Sequence, residues 1–335
     1  MMSIGRLDQP TKNGVLAEIQ PVAAAEDFEA VELLQATSKS IGWSIEYRQL
    51  ERGRLHARAL TREDGNLVMI RESADVHLEV VGEPPNGSVF VLVPLGRGVL
   101  RANGQRLSGG DLMVFMPGTE LYTTVQGDAN VVSLYFSPAL LNATAREIAP
   151  DWCGIETLHC FNTETSRGAH IDLLGALTTA ALDGLEGRSG GMQLEEDIVT
   201  TLARMLTDSC DTAQGRLPRT RVGQLQALKR AREYLEAHLN ETIRMADVCA
   251  YASVSLRTLE RLFCHELQVL PSGYILARRL ENVRRALSSG KWVERTVTDI
   301  AMDHGFNHLG RFSAEYHRQF GVYPSHVRKK VFVCR

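Results

Sequence analysis

Hydrophobic and polar residues follow a two-residue period in the first half of the chain. Between Trp43 and Pro138 the runs WSIEY, SVFVLVPL, GDLMVFM and NVVSLYF have the length and the β-branched content of strands. Turn-forming clusters such as EDGN, ANGQ and SGGD stand between these runs. Short strands that follow one another this regularly predict an antiparallel barrel or sandwich over about 43–138.

Beyond Pro138 the apolar residues recur every three or four positions, which is the helical period. Helices are predicted over about 168–210, and they complete an N-terminal domain of residues 26–210. An apolar stripe on such a helix usually packs into the core of its own domain. A contact between two copies of the chain is the alternative. The candidate dimerisation residues are Ile171, Leu174 and Leu185.

Two further stretches mark the organisation of the chain. Residues 1–25 show no sustained periodicity and are predicted to be a flexible lead-in. Residues 211–222, DTAQGRLPRTRV, are polar and contain Gly and Pro, so they are predicted to be a linker. The remainder, 223–335, has an almost wholly helical pattern. A length of 335 residues fits two domains divided in this way.

The composition is that of a globular protein, with 44% hydrophobic and 23% charged residues. No apolar run reaches the roughly 18 residues that a membrane span needs. The N-terminal stretch MMSIGRLDQPTKNG lacks the apolar core of a signal peptide. The six cysteines contain no CxxC pair, which favours reduced thiols over a zinc site or a disulfide framework. These features predict a cytoplasmic protein.

Charge is divided unevenly along the chain. Residues 219–335 hold 20 Lys and Arg against 11 Asp and Glu, a net charge of +9. Residues 1–218 hold 17 against 29, a net charge of −12. A basic segment joined to an acidic one indicates a polyanion partner for the basic segment alone. A chance excess of basic residues on a solvated helical surface is the alternative, and charge does not decide between the two.

The basic segment contains an internal repeat of about 50 residues. The pair Asp247-Val248 reappears 52 positions later, and the pattern of Leu259, Phe263 and Leu267 reappears 53 positions later. A duplicated three-helix unit explains this repeat. Each copy has a short helix, a turn of three or four residues and an amphipathic helix, which is the helix-turn-helix plan. The two motifs are predicted over about 245–266 and 297–320.

In the first copy, Ser255 is placed to cap the second helix by accepting a backbone N–H. Leu259 and Phe263 face inward. The second helix suits a major groove because long side chains on its outer stripe reach base edges and phosphates. The candidate DNA-binding residues are Ser255, Arg257, Thr258, Glu260 and Arg261.

In the second copy, Gly305 is able to take the positive φ that the turn requires. Phe306 is predicted to pack into the core. The aromatic residues of the following helix also face inward, so function is expected on the outer stripe. The candidate DNA-binding residues there are Asn307, His308, Leu309, Gly310, Arg311, Ser313 and Ala314.

One long helix, PSGYILARRLENVRRALSSG, connects the two copies. As a rigid connector it would present both recognition helices to successive major grooves, about 34 Å apart. Four of its residues are predicted to be available to solvent, namely Arg278, Arg279, Arg284 and Arg285.

Two long segments carry a resemblance to a known family. They are SVSLRTLERLFCHELQVLPSGYILARRLENVRRAL and DIAMDHGFNHLGRFSAEYHRQFGVYPSHVR. With them, residues 223–335 resemble the DNA-binding domain of AraC/XylS-family bacterial transcription regulators. The resemblance implies that Arg257, Glu260 and Arg261 contact DNA in the first copy. In the second copy it implies contacts by Leu309, Gly310, Ser313 and Ala314.

The chain departs from the family pattern in the second copy. Gly310 and Ala314 stand where the family often has Ser and Arg. Small apolar side chains cannot make bidentate base contacts. The second copy is therefore expected to supply backbone contacts, through Arg311 and His308, more than base reading.

The resemblance also implies a function for the whole chain. Family members with a β-rich N-terminal half carry a cupin-like sensory barrel followed by dimerisation helices, which is the order found here. The expected protein is a DNA-binding transcription activator that binds a small-molecule effector, forms a homodimer and acts with RNA polymerase on promoter DNA, without a cofactor. The HLGRFSAEY variant is similar to the branch that includes the ethanolamine-operon regulator. Trp43 and Tyr47 are the candidate ligand-binding residues, with core packing as the competing role.

Two other functions stay open. A metal-dependent cupin enzyme fused to a DNA-binding domain would need a clustered His-x-His and a carboxylate. The barrel has only His56 and His77, which are far apart, and His77 is expected on a strand surface. No GxSxG or P-loop motif accompanies them, so no enzymatic activity is expected. A DNA binder without a ligand is the second possibility, because the sequence pattern does not distinguish a lumen from a packed core.

Overall fold

The computed structural model describes residues 26–28, 31–40, 42–84, 87–95, 98–109, 111–127, 129–155, 161–162, 168–182, 191–208, 219–289 and 294–333. The strands in these ranges are β1 Glu26–Phe28, β2 Ser44–Gln49, β3 Ala57–Asp64, β4 Leu67–Ala74, β5 Leu78–Glu83, β6 Val89–Pro94, β7 Val99–Ala102, β8 Gln105–Leu107, β9 Met113–Phe115, β10 Leu121–Gln126, β11 Ala129–Phe136 and β12 Phe161–Asn162. The helices are α1 Val31–Ser40, α2 Pro138–Ile148, α3 Gly168–Leu182, α4 Gly191–Thr207, α5 Arg219–Ala237, α6 Met245–Ala252, α7 Leu256–Leu267, α8 Pro271–Ser288, α9 Val297–Asp303, α10 Leu309–Phe320 and α11 Pro324–Val333. The predicted lead-in, 1–25, lies outside the described residues.

Two antiparallel sheets form the β region of the N-terminal half. The larger sheet has the strand order β1-β3-β4-β11-β6-β9-β12, and the smaller has the order β2-β5-β10-β7-β8. The central pair of the larger sheet, β4 and β11, places Ile70 opposite Ser133. Because successive side chains of a strand point to opposite faces, each sheet has an apolar face, and these two faces enclose the first core. The predicted β-rich N-terminal fold is confirmed.

The outer face of the larger sheet is covered by α2, α3 and α4. Met69 and Leu134 on the sheet meet Leu141 of α2 in a second core, and Leu174 of α3 is fully buried in the same core. The interpretation of Leu174 as a dimer-interface residue therefore does not hold, because the chain's own core already covers its side chain. The side chain of Ile171 and the whole of Leu185 lie outside the described part of the chain.

Helices α5 to α11 form the C-terminal half, as predicted. Helices α5, α6 and α7 pack around Phe263 in a third core, and α8, α9 and α10 pack around Tyr316 in a fourth. The two repeat copies thus have separate cores. Helix α5 begins at Arg219, so the end of the predicted linker is helical, and 211–218 lies outside the described residues. No helix in the described ranges is long and apolar enough to cross a membrane.

The outer face of the smaller sheet is covered by the C-terminal helices. On β2, Tyr47 points into the first core, whereas Arg48 on the opposite face bonds to Tyr274 of α8. On β10, Thr124 bonds to the backbone of Glu266 in α7. The C-terminal half is therefore packed directly against the β region.

Candidate nucleic-acid interface

The first helix-turn-helix consists of α6 and α7. Ser253 ends α6 in the left-handed region, with a φ of 57°, and the chain turns there. The hydroxyl oxygen of Ser255 accepts a hydrogen bond from the backbone N–H of Thr258 at 3.2 Å, so Ser255 caps α7 as predicted. Leu259 and Phe263 are fully buried, which fixes the rotation of α7 about its axis.

The outer side of α7 carries charged side chains. Arg257, Glu260 and Arg261 are exposed, and Thr258 is half-buried. Arg257 and Arg261 lie one helical turn apart, so their side chains are neighbours on one stripe. A guanidinium group can pair bidentately with guanine, and a carboxylate can accept from the amino group of cytosine. This stripe is therefore chemically able to read base edges.

The second helix-turn-helix consists of α9 and α10. A capping box begins α9: the Thr296 hydroxyl accepts from the backbone of Asp299 at 3.1 Å, and the Asp299 carboxylate accepts from the backbone of Thr296 at 3.0 Å. Gly305 makes the turn with a φ of 82°, as predicted for this position. Phe306 packs against the buried aromatic rings of α10, so those rings belong to the core.

The outer side of α10 is exposed but presents smaller side chains. Arg311 is its most prominent charge, with a side chain that is 81% exposed although its Nε lies 4.0 Å from the carboxylate of Glu315. Ser313 is half-buried. The other candidate residues are all exposed, namely Asn307, His308, Leu309, Gly310 and Ala314. The structure thus places the predicted residues of each copy together on one surface.

The connector α8 contradicts one prediction. Arg278 and Arg284, expected in solvent, are only 2% and 7% exposed. Arg278 binds Glu236 at 2.7 Å and Glu46 at 2.9 Å, and Arg284 lies 4.6 Å from the centre of the Phe320 ring. Both are buried because α8 is enclosed by the two repeat copies and the β region. Arg279 and Arg285 are half-buried.

A buried charge cluster joins α5 and α8 to the smaller sheet. Glu79 of β5 is fully buried and lies 3.0 Å from Nε of Arg232 and 3.2 Å from Nη1 of Arg48. Burial alone would raise the pKa of Glu79, but Arg232 and Arg48 lower it below its usual value, so the carboxylate is ionised. The hydroxyl of Tyr274 lies 3.1 Å from the same carboxylate. The cluster also contains Glu46, Glu236, Arg278, Glu281 and Arg285.

No sequence signal pointed to this cluster. Charged residues at alternating positions of β2, such as Glu46 and Arg48, look like the solvated face of a strand. Only the packing of α8 on that face distinguishes a covered position from a solvated one.

The β region and α5 also hold the inner end of each recognition helix. Thr124 donates to the backbone carbonyl of Glu266 in α7 at 3.2 Å, and Arg221 of α5 pairs with the Glu266 carboxylate at 2.5 Å. The amide of Gln319 in α10 donates to the carbonyl of Gln49 at 3.0 Å, and the amide of Gln49 donates to the carbonyl of Gln319 at 2.9 Å. These contacts leave the outer stripes of both helices facing solvent.

The β region also contains the residues considered for a metal site and for a ligand site. Among the described residues, no group of three or more His, Cys, Asp or Glu is arranged to hold a metal ion. His56 lies 2.7 Å from Asp75. His77 is 5% exposed, so the expectation of a strand-surface residue is wrong; its backbone is bonded to the 50–51 segment, and burial lowers its pKa to about 4. Trp43 and Tyr47 both line a cavity between the sheets.

Comparisons with known proteins find matches to parts of this chain. A model of the helix-turn-helix domain matches residues 248–330. The XylDLEGF operon transcriptional activator of Pseudomonas putida is 35% identical over 99 residues, which cover 30% of this chain and 31% of that protein. The probable thc operon regulatory protein of Rhodococcus erythropolis is 37% identical over 93 residues, 28% of each chain. The solved structure of the AraC-like transcriptional activator CuxR covers 84% of this chain and 100% of its own, at 15% identity and a TM-score of 0.42.

Residues 248–330 therefore form a DNA-binding domain of the helix-turn-helix class. The domain is of the AraC/XylS type. The chain matches these two curated relatives over about a third of their own length. The cupin-like description of the β region and the branch of the ethanolamine-operon regulator stay predictions.

Proposed function

We propose that the chain is a sequence-specific transcription regulator that binds promoter DNA through residues 223–335. The observation that carries this proposal is the pair of helix-turn-helix units whose outer stripes face solvent while their inner ends are fixed to a common body. Recognition helices held in this way can enter neighbouring major grooves without a second subunit. The net charge of +9 over residues 219–335 supplies attraction for phosphates.

The two units divide the work of recognition in this proposal. The first reads bases through Arg257, Glu260 and Arg261, with Ser255 and Thr258 placed to contact the backbone. The second is anchored by Arg311 and His308, and its remaining outer residues allow close approach of the DNA. The contrast follows from side-chain chemistry, since Gly310 and Ala314 carry no hydrogen-bonding group.

The N-terminal half is proposed to sense a small-molecule effector and to support a homodimer. A dimer would bind repeated sites with a raised effective concentration. Leu173 of α3, which is 47% exposed, takes the place of Leu174 as the side chain to test in that interface. Action as an activator through contact with RNA polymerase, in the cytoplasm, completes the proposal.

The first experiment tests DNA recognition by the full chain. Duplexes enriched from a random pool are expected to share a sequence, and binding to that sequence should weaken steeply with salt. If six or more phosphates are contacted, affinity should fall by about a thousandfold or more between 50 and 200 mM salt. Electrophoretic mobility shift and fluorescence anisotropy measure both properties.

A matched pair of variants locates the interface. Arg257→Ala with Arg261→Ala should weaken binding strongly, whereas Arg106→Ala, an exposed arginine on β8 of the N-terminal half, should not. A pool that yields no common sequence would rule out sequence-specific binding. If the two changes weakened DNA binding equally, the DNA would not be bound by the outer stripe of α7.

A further inference from the structure

A cavity of about 60 Å³ lies between the two sheets of the β region. A single water needs about 10–15 Å³ of cavity volume, so this space accepts a ligand of only a few non-hydrogen atoms. Most of its lining is apolar. The lining includes Trp43, Tyr47, Glu72 and Phe90.

One charged side chain belongs to this lining. On β4, Val68, Ile70 and Ala74 face the first core, and the two-residue period places Glu72 on the same face. The hydroxyl of Tyr47 donates a hydrogen bond to its Oε1. In the part of the chain that the structure describes, no Lys, Arg or His pairs with Glu72, and burial raises the pKa of this carboxyl group. Glu72 is half-buried, so its carboxylate is partly withdrawn from water and has no cationic side chain beside it among the described residues.

Aromatic rings line the same cavity. Trp43 and Phe90, which both belong to the lining, meet edge to face with ring centroids 4.9 Å apart. Tyr135 lies behind Trp43, with ring centroids 5.5 Å apart, and is not part of the lining. The faces of aromatic rings attract cations, most strongly where water is excluded. A carboxylate among aromatic and aliphatic side chains therefore favours one kind of ligand. An anion would be repelled by Glu72, and a neutral molecule would leave its charge uncompensated.

We propose that this cavity is a binding site for a small organic ammonium ion, whose charged group pairs with Glu72 while its carbon atoms contact Trp43 and Phe90. Tyr47 orients the carboxylate, and Ser38 of α1 holds the Tyr47 hydroxyl at 3.1 Å. The site deepens the proposed function by naming the chemical class of the effector, and only the effector role rests on that function.

The position of Tyr47 connects the cavity to the C-terminal half. Its neighbours on β2, Glu46 and Arg48, point to the other face of the sheet and bind Arg278 and Tyr274 of α8. A ligand that moves Tyr47 therefore acts on the strand that holds the connector between the two recognition helices.

The experiment uses the full chain and three small compounds of one size. Isothermal titration calorimetry and thermal unfolding are recorded with propylammonium chloride, 1-propanol and sodium propionate, against sodium chloride at equal concentration. Propylammonium is expected to bind at one site per chain and to raise Tm, whereas 1-propanol and propionate are not. Glu72→Gln, which keeps the shape of the side chain, should weaken propylammonium binding by on the order of tenfold or more. Glu83→Gln, at an exposed carboxylate on β5, should leave it unchanged.

The outcomes separate the site from its regulatory role. Equal binding of propylammonium and 1-propanol, unchanged binding by a folded Glu72→Gln variant, or no binding of propylammonium would each overturn the ammonium site. If Glu72→Gln does not fold, the difference in binding among the three compounds on the wild-type chain still shows whether the cavity selects an ammonium ion. DNA binding measured without any ammonium ion tests the proposed function separately. Binding of propylammonium with no change in DNA affinity would remove the effector role and leave the site.

Discussion

Position by position, the outer stripe of α10 differs from that of α7. Arg257 corresponds to Gly310 and Arg261 to Ala314, so two groups able to pair with guanine are replaced by small side chains. At the inner ends of the helices the correspondence is closer. Glu266 and Gln319 occupy equivalent positions, and both form hydrogen bonds with residues of the β region, Thr124 and Gln49 respectively. The duplicated unit has thus kept its docking position while its solvent-facing chemistry has diverged.

The largest effect is expected from the separate cores of the two units. Phe263→Ala in the third core and Phe312→Ala in the fourth should each lower the free energy of unfolding by about 3–5 kcal/mol, because each leaves a cavity the size of a ring. Urea unfolding measures this decrease. Hydrogen exchange should show reduced protection in α5–α7 for the first change and in α8–α10 for the second. If either change reduced hydrogen-exchange protection equally in both units, the two cores would unfold together.

The framework of these two units was largely predictable from sequence because it is local. The cap at Ser255 and the turn at Gly305 depend on a few neighbouring residues, and the inward rings follow from the helical period. The burial of Arg278 was not predictable, because it depends on a surface about 230 residues away that provides Glu46. Long arginines on an amphipathic helix look solvated until the covering surface is known.

In the N-terminal half, the fold was easier to predict from the sequence than the residues of a ligand site or of an interface. Alternation predicted an antiparallel barrel or sandwich, and the structure has two antiparallel sheets. The same alternation places Glu72 at an inward position between Ile70 and Ala74. A charged residue at such a position marks either a paired charge or a ligand site. Leu174 was misassigned because an apolar stripe on a helix has the same pattern whether it meets its own sheet or a second copy.

The arginines of the two stripes give a second test of the comparison. Arg257→Ala or Arg261→Ala should cost about 1–3 kcal/mol of DNA binding and relax the preference for particular base pairs in one half of the site. Arg311→Ala should weaken specific and non-specific duplexes alike and reduce the salt slope by about one. Competition between the selected duplex and its single-base variants measures the difference. If Arg311→Ala reduced discrimination between base pairs while Arg257→Ala and Arg261→Ala left it intact, α10 and not α7 would be the helix that reads the sequence.

The docking position provides a third test. Gln319→Ala removes the amide that bonds to the carbonyls of Gln49 and Glu51. The Glu51 carbonyl keeps a hydrogen bond from the Gln49 amide, whereas the carbonyl of the buried Gln49 loses this donor. The expected loss of stability is about 1–3 kcal/mol. A double-mutant cycle with Gln49→Ala should show coupling, since the two side chains bind each other's backbone. Gln226→Ala, at an exposed position of α5, is the control. No coupling in the cycle would mean that α10 is not held by the β region in solution.

The smallest effect is expected at the two turns, where the units adopt a positive φ with different residues. Ser253 and Gly305 are equivalent, and both have positive φ, 57° and 82°. A residue with a Cβ atom is strained by about 1–2 kcal/mol in this region, whereas glycine is not. The Ser253 side chain is exposed, so its removal should not disturb the core. Ser253→Gly should therefore raise the free energy of unfolding by up to about 1 kcal/mol.

The reverse change, Gly305→Ser, should lower stability by more than Ser253→Gly raises it. A Cβ atom at Gly305 would lie 3.0 Å from Cζ of Arg279, whose Nε is held by the carbonyl of Leu239 at 2.6 Å and so resists displacement. Gly310→Ala is the control for adding a Cβ atom: its φ is not positive and the space around it is open, so stability should stay equal or rise slightly. Urea unfolding of the four chains gives the ranking. A neutral Gly305→Ser variant would show that the second turn does not need positive φ, and that the two turns differ in backbone as well as in sequence.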